Sequence, residues 1–221
     1  MAARIPVLRH HGVLIVDIAG FGSRTTRAQL AARQIMRGAM RDALRGIGQN
    51  WQPGAGDELG DGLRVLLPES VPMALLAHPL PELLDEALRW YNAKKPPAEQ
   101  VRLRAAIGTA EVEFDGGFAA SPSVIEAFRL VEAPALKRLL ARSPGPLAVI
   151  ASQHFYREVI RRVPGAHPER YRQVRVRTKE GRTVGWVALP GCQPVPAWRA
   201  AVWRSPLIRR LSALEPRCHL R

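Results

Sequence analysis

The run Val13-Leu14-Ile15-Val16 passes without interruption into Asp17 and then into Ile18-Ala19-Gly20-Phe21-Gly22-Ser23. No other stretch limits the possible folds as tightly. Four consecutive apolar residues describe a strand buried on both faces, which requires layers above and below it. An acidic residue at the end of such a strand must be paired, solvated or bound to a cation, because an isolated buried carboxylate is too costly. Small residues follow, and Thr25 or Thr26 can cap the helix that begins there. Asp17 is therefore a candidate ligand, with a turn-capping role as the plainer alternative. A second acidic turn, Gly60-Asp61-Gly62, stands directly before the apolar run Leu63 to Leu67. Asp61 is either a hairpin-turn residue or a second carboxylate brought by a neighbouring strand to one divalent-cation site.

The rest of the chain alternates in the same way. Ala28, Ala32, Ile35, Met36, Ala39, Ala43 and Leu44 recur at helical spacing, with Arg33, Arg37, Arg41 and Arg45 as a ridge read as a solvated face. A helix is expected over 81–92 and a strand over 101–114, with Gly108 as a bulge or bend. Pro122 opens another helix, continued after a break over 133–141. A strand at 147–151, a helix at 153–162 and a hairpin over 171–189 complete the order. Strands alternating with helices before a final hairpin predict an α+β fold, a mixed sheet flanked by helices.

A content of 47% hydrophobic residues over 221 positions can bury one substantial core. Residues 1–191 are expected to form a domain and 192–221 a basic tail rich in Pro, Trp and Arg, with an amphipathic stretch over 197–203. No apolar run reaches the roughly 18 to 20 residues that a membrane span requires. The first residues lack a signal-peptide layout, so a cytoplasmic location is the expectation. Cys192 and Cys218 have no metal-ligand spacing and read as ordinary thiols. The formal net charge of +14 favours polyanionic partners, whether nucleotides, nucleic acid or acidic membrane surfaces.

Val16-Asp17-Ile18-Ala19-Gly20-Phe21-Gly22-Ser23 resembles the first metal-binding motif of class III nucleotidyl cyclases, the adenylate and guanylate cyclase catalytic domain. Gly60-Asp61-Gly62 resembles the second metal motif, the run from Arg102 to Gly108 the strand after it, and Ala127-Phe128-Arg129-Leu130 the end of the Asn-x-x-x-Arg helix motif. Order and spacing agree over roughly residues 10 to 190, and the run from Phe128 to Leu136 is similar to compact actinobacterial members of the family.

The resemblance implies a ferredoxin-like core and a homodimer with nucleotide sites at the subunit cleft. It implies Mg²⁺ or Mn²⁺ on Asp17, Asp61 and the Ile18 carbonyl, and a nucleoside triphosphate cradled by Gly20, Phe21, Gly22 and Ser23. Arg129 would relieve charge in the transition state, and Lys179 on the terminal hairpin would bind the triphosphate. The implied reaction forms a cyclic nucleotide and releases pyrophosphate.

The chain departs from the family at three places. Asp57 stands where adenylate cyclases carry a base-reading lysine, a guanylate-type arrangement in which the carboxylate reads the base. Ile125 stands where the asparagine should precede Arg129, and Phe118-Ala119-Ala120-Ser121 lacks the usual aspartate. Two further classes of function therefore stand beside the cyclase: a module without chemistry that binds a nucleotide or a protein partner, and a basic nucleic-acid-binding domain.

Overall fold

A computed structural model describes residues 7–54, 57–115, 118–178 and 181–191. The expected tail, with its stretch over 197–203, Cys192 and Cys218, lies outside the described residues, as does Lys179. The buried run becomes β1 (Arg9–Ile18), longer than the apolar core because β4 pairs along its whole length and β3 from His11 to Asp17. Helix α1 (Thr26–Gly46) follows, with the Thr25 side chain accepting from the Ala28 amide at its start. The short β2 (Glu58–Leu59) and β3 (Gly62–Pro68) form a hairpin around Gly60 and Asp61. Then come α2 (Ala74–Ala77), α3 (Leu80–Asn92), β4 (Leu103–Asp115), β5 (Phe118–Ala120), α4 (Pro122–Val131) and α5 (Pro134–Arg142). The order closes with β6 (Leu147–Ser152), α6 (Gln153–Glu158), β7 (Arg172–Thr178) and β8 (Gly181–Ala188).

The strands form one mixed sheet in the order β2-β3-β1-β4-β6-β8-β7, with β5 paired to the far end of β4. The β4–β6 pair is parallel and its neighbours are antiparallel, so the expected α+β architecture is the observed one. Val13 and Ile15 face α4 and α5, in a core with Ala106, Ile150, Val124 and Leu136. Side chains alternate across a strand, so Asp17 points to that same face, as does Arg104 beyond Ala106. Leu14, Val16 and Ile18 face the other way, where α1 and α3 pack on each other. None of the described helices is long and apolar enough to cross a membrane.

Two local expectations are corrected. Gly108 forms no bulge, since β1 and β4 pair in unbroken register from Arg9↔Val112 to Ile18↔Leu103 with Gly108 opposite Val13. The arginine ridge on α1 is not merely solvated. Arg33 (3.2 Å) and Arg37 both pair with Glu58, tying α1 to the short strand that leads into Asp61.

Asp85 on α3 is 1% exposed and bonded to Arg89 Nε at 2.6 Å. Burial outweighs that bond and pushes its carboxyl up to about 6. The folded chain therefore holds a proton that the unfolded chain loses near pH 4, so this group favours folding below about pH 4 and loses that contribution as pH rises through about 6. Asp85→Asn should remove the dependence, because the half-exposed Arg89 can turn to water. The stability difference between variant and parent, from urea titrations between pH 4 and pH 7, should move in the variant's favour by about 2–3 kcal/mol.

Candidate active site

The antiparallel register places Asp17 between Gly62 on β3 and Arg104 on β4. The next two residues are fixed from both sides. The Ile18 amide donates to the Asp61 carbonyl at 3.0 Å, and the Ala19 amide donates to the Arg102 carbonyl at 2.9 Å. Gly20 then takes the left-handed conformation, φ 68°, which turns the chain back over the strand ends. The Ser23 hydroxyl donates to the Gly20 carbonyl at 2.9 Å and closes the turn.

Asp17, Asp61 and the turn residues Gly20, Phe21 and Gly22 line one open hollow of about 620 Å³. The opposite wall comes from the α4–α5 junction, with Phe128, Arg129, Glu132 and Lys137, and Arg104 stands between the walls. The charged groups form a chain. Arg104 pairs with Asp17 and, at 2.9 Å, with Glu132, whose other oxygen is 2.6 Å from Lys137 Nζ. Burial pushes the Asp17 carboxyl up to about 6; Arg104 opposes this, and the charges of Asp61 and Glu132 add to it. Burial acts upward on Glu132 too, but hydrogen bonding to Lys137 and the Arg104 charge carry that carboxyl below its ordinary value. Anionic oxygens are thus crowded at the strand ends and held by two cationic side chains.

No protein-family model matches the chain, and no curated protein matches it. Solved structures do. The guanylyl cyclase Cya2 superposes with a TM-score of 0.56 at 19% identity, covering 86% of this chain and 97% of that one. An adenylate/guanylate cyclase/hydrolase from Silicibacter pomeroyi gives 0.54 at 18%, covering 84% and 99%. The guanylate cyclase domain of RhGC from Catenaria anguillulae, solved in complex with GTP, gives 0.51 at 14%, covering 82% and 97%. The chain has the class III cyclase fold.

Within this cyclase fold, the residues singled out from the sequence divide into two groups. Asp17, Ile18, Asp61, Gly20, Phe21, Gly22 and Arg129 all line the hollow. Ser23 serves the turn, and Asp57 is turned to another partner. Asp57 Oδ2 accepts from the Gly54 amide at 2.8 Å, and its Oδ1 is 3.6 Å from Arg64 Nη2. Ile125 is half exposed on α4, one turn before Arg129 and on the same helical face.

Nothing in the sequence alone gives Arg104, Glu132 or Lys137 a role at this site. The signal for Arg104 was a guanidinium inside an otherwise buried strand. Arg102, two residues earlier, shows the structural counterpart. Its guanidinium donates to the carbonyls of Leu140, Ser143 (2.6 Å) and Gly145 (3.1 Å), holding the end of α5.

Proposed function

We propose that the hollow binds a nucleoside triphosphate with Mg²⁺ or Mn²⁺ and closes it to a cyclic monophosphate. The observation that supports this reading is the delivery of Asp17 and Asp61 by adjacent strand ends to one hollow whose cationic wall is Arg104, Arg129 and Lys137. The donor set suits a hard divalent ion. Such an ion takes oxygen ligands, uses one or two carboxylates, and completes its shell with water and substrate phosphates. Among the described residues no group of three or more His, Cys, Asp or Glu side chains is arranged to hold a metal ion. Asp17 and Asp61 would hold the ion with the Ile18 carbonyl, and the ion would neutralise phosphate charge and make the attacking hydroxyl more acidic.

This chain's residues do the remainder. With Asp17 turned to a cation, Arg104, still held by Glu132, would have donors to spare for phosphate oxygens. The turn from Gly20 to Gly22 offers main-chain amides to the same oxygens. Arg129 spreads its charge over the α-phosphate as the ribose 3′-oxygen bonds to phosphorus and the bond to the bridging oxygen breaks. Pyrophosphate leaves and the hydroxyl proton passes to solvent. Lys179, outside the described residues, is assigned to the triphosphate by resemblance. A two-fold pair of chains would carry two equivalent sites.

A second reading, binding without chemistry, is favoured by one observation. Ile125, half exposed on α4, stands where the resemblance implies an asparagine bonded to the ribose, and an aliphatic side chain there would weaken positioning of the nucleophile. Incubation of the chain with ATP, GTP, CTP or UTP and Mn²⁺ distinguishes the two. Formation of cyclic nucleotide and pyrophosphate, reduced at least about 100-fold in Asp61→Ala, supports the cyclase. Metal-dependent binding without product supports the second reading, and absence of metal-dependent binding overturns both.

A further inference from the structure

We propose that the sheet face carrying α6 and the β7–β8 hairpin is a docking surface for the phosphate backbone of nucleic acid, separate from the hollow and independent of the nucleotide reading.

The positive charge of the chain is unevenly spread. Residues 1–152 carry 18 lysines and arginines against 15 acidic residues, which nearly cancel. Residues 153–191 carry nine against three. The fold then gathers that excess on one side. Ile150 belongs to the core under α4 and α5, so Ala151, the next residue of β6, points to the opposite face, as does its partner Trp186 on β8. Alternation puts Val184 and Arg182 on this face too, with Arg175 and Arg177 opposite them on β7. Helix α6 lies over the same face. Tyr156 stacks on the Trp186 ring at 3.7 Å, and Trp186 Nε1 donates to Gln153 Oε1 at 2.6 Å. From α6 and the helical turn after it, Arg157, Arg161 and Arg162 line a shallow groove of about 460 Å³. Asp17 and Arg104 point to the other side of the sheet, where α4 and α5 pack.

All six arginines are exposed. Arg162 is 2.9 Å from Glu158, and the other five have no acidic partner among the described residues. Arg177 and Arg182 stand directly opposite each other across the hairpin. Like charges in that position destabilise a sheet, so folding does not account for the pair. Charge on an edge strand deters pairing with other chains, and β7 is an edge. That accounts for Arg175 and Arg177 alone, since Arg182 is on the strand inside it and Arg157 and Arg161 are on helical turns. One polyanionic partner accounts for all of them.

The class of partner follows from the chemistry of the surface. Guanidinium forks match phosphate oxygens, and neutralising a nucleic-acid backbone releases its counterions. Contacts of this kind hold the backbone and carry no sequence information. An anionic membrane surface would add insertion of an apolar face. None of the exposed large apolar side chains of the described residues lies within 153–191.

Fluorescence anisotropy of the full chain with labelled DNA duplexes, over about 50–200 mM salt, tests the proposal. Two unrelated sequences should bind alike, with Kd about 1–100 μM near physiological salt. Arg175→Gln/Arg177→Gln/Arg182→Gln should weaken binding about 20-fold or more and make the slope of log K against log salt shallower by about 2–3. Its thermal midpoint should not fall, because the Arg177–Arg182 repulsion is relieved. Arg27→Gln/Arg138→Gln/Arg142→Gln removes as many charges from exposed positions elsewhere and should cost less than about threefold. Absence of DNA binding overturns the proposal, as does an equal loss in the two triple variants, which would make the attraction one of net charge. Binding to phosphatidylserine vesicles and not to DNA, abolished by the first variant, would assign the surface to membranes and overturn it likewise.

Discussion

Asp17→Ala should lose at least about 100-fold in affinity for a nucleoside triphosphate with Mn²⁺, about 2.7 kcal/mol, while the chain stays folded. The loss follows from what Asp17 supplies. It is the acidic residue set between β3 and β4 at the strand ends, and the hollow's other ligand candidate, Asp61, is one carboxylate alone. Folding survives because the partner left behind is not stranded. Arg104 keeps Glu132 at 2.9 Å, and Lys137 continues to hold Glu132 from its other side. Removing a carboxylate whose burial already pushes it up to about 6 also removes an unfavourable desolvation. Calorimetry should therefore show the binding loss, and a thermal melt near neutral pH should show a midpoint at or slightly above that of the parent.

Gly62→Val should have the opposite profile, damaging the fold first and the site in consequence. A Cβ at Gly62 would stand 2.7 Å from the Val16 carbonyl oxygen and 3.9 Å from the Asp17 Cα, and backbone cannot yield as a flexible side chain does. Relief requires β3 to move off β1, which separates Asp17 from Asp61. The expected cost is about 3 kcal/mol or more, read from urea denaturation. Gly60→Ala provides the contrast. Gly60 has φ 69° but nothing within 4 Å of an added Cβ, so only left-handed strain applies, about 1–2 kcal/mol. Were the two substitutions to cost the same, the close approach of β3 to the acidic strand end would not be what Gly62 is needed for.

These two positions mark what the sequence made legible. The buried run ending in Asp17 and the acidic turn at Asp61 were readable because uninterrupted apolar residues fix a strand and a lone carboxylate at its end needs a reason. Arg129 was readable through the Phe128-Arg129-Leu130 helix motif. Arg104 was not, since its meeting with Asp17 depends on β1–β4 register, and period-2 alternation gives the face of a strand but not its partner. Glu132 and Lys137 were hidden similarly, because they reach the hollow only through the break between α4 and α5. Asp57 was legible as a carboxylate near a metal motif. Its commitment to Arg64 was not, as that depends on how the loop before β2 folds back on β3. The α1 ridge looks solvated in the sequence because the partner of Arg33 and Arg37, Glu58, lies 25 and 21 residues away in a two-residue strand too short to show periodicity.

On the proposed reading, Asp17 and Asp61 grip one divalent ion beside a phosphate-binding hollow. Crystals of the chain grown with Mn²⁺ and a slowly hydrolysed nucleoside triphosphate analogue, measured at the manganese absorption edge, test it most directly. The expected result is an anomalous peak bonded to both carboxylates and to phosphate oxygens, with Arg104 released from Asp17. A nucleotide bound with no metal between those carboxylates, or with the Arg104–Asp17 pair intact, would contradict it.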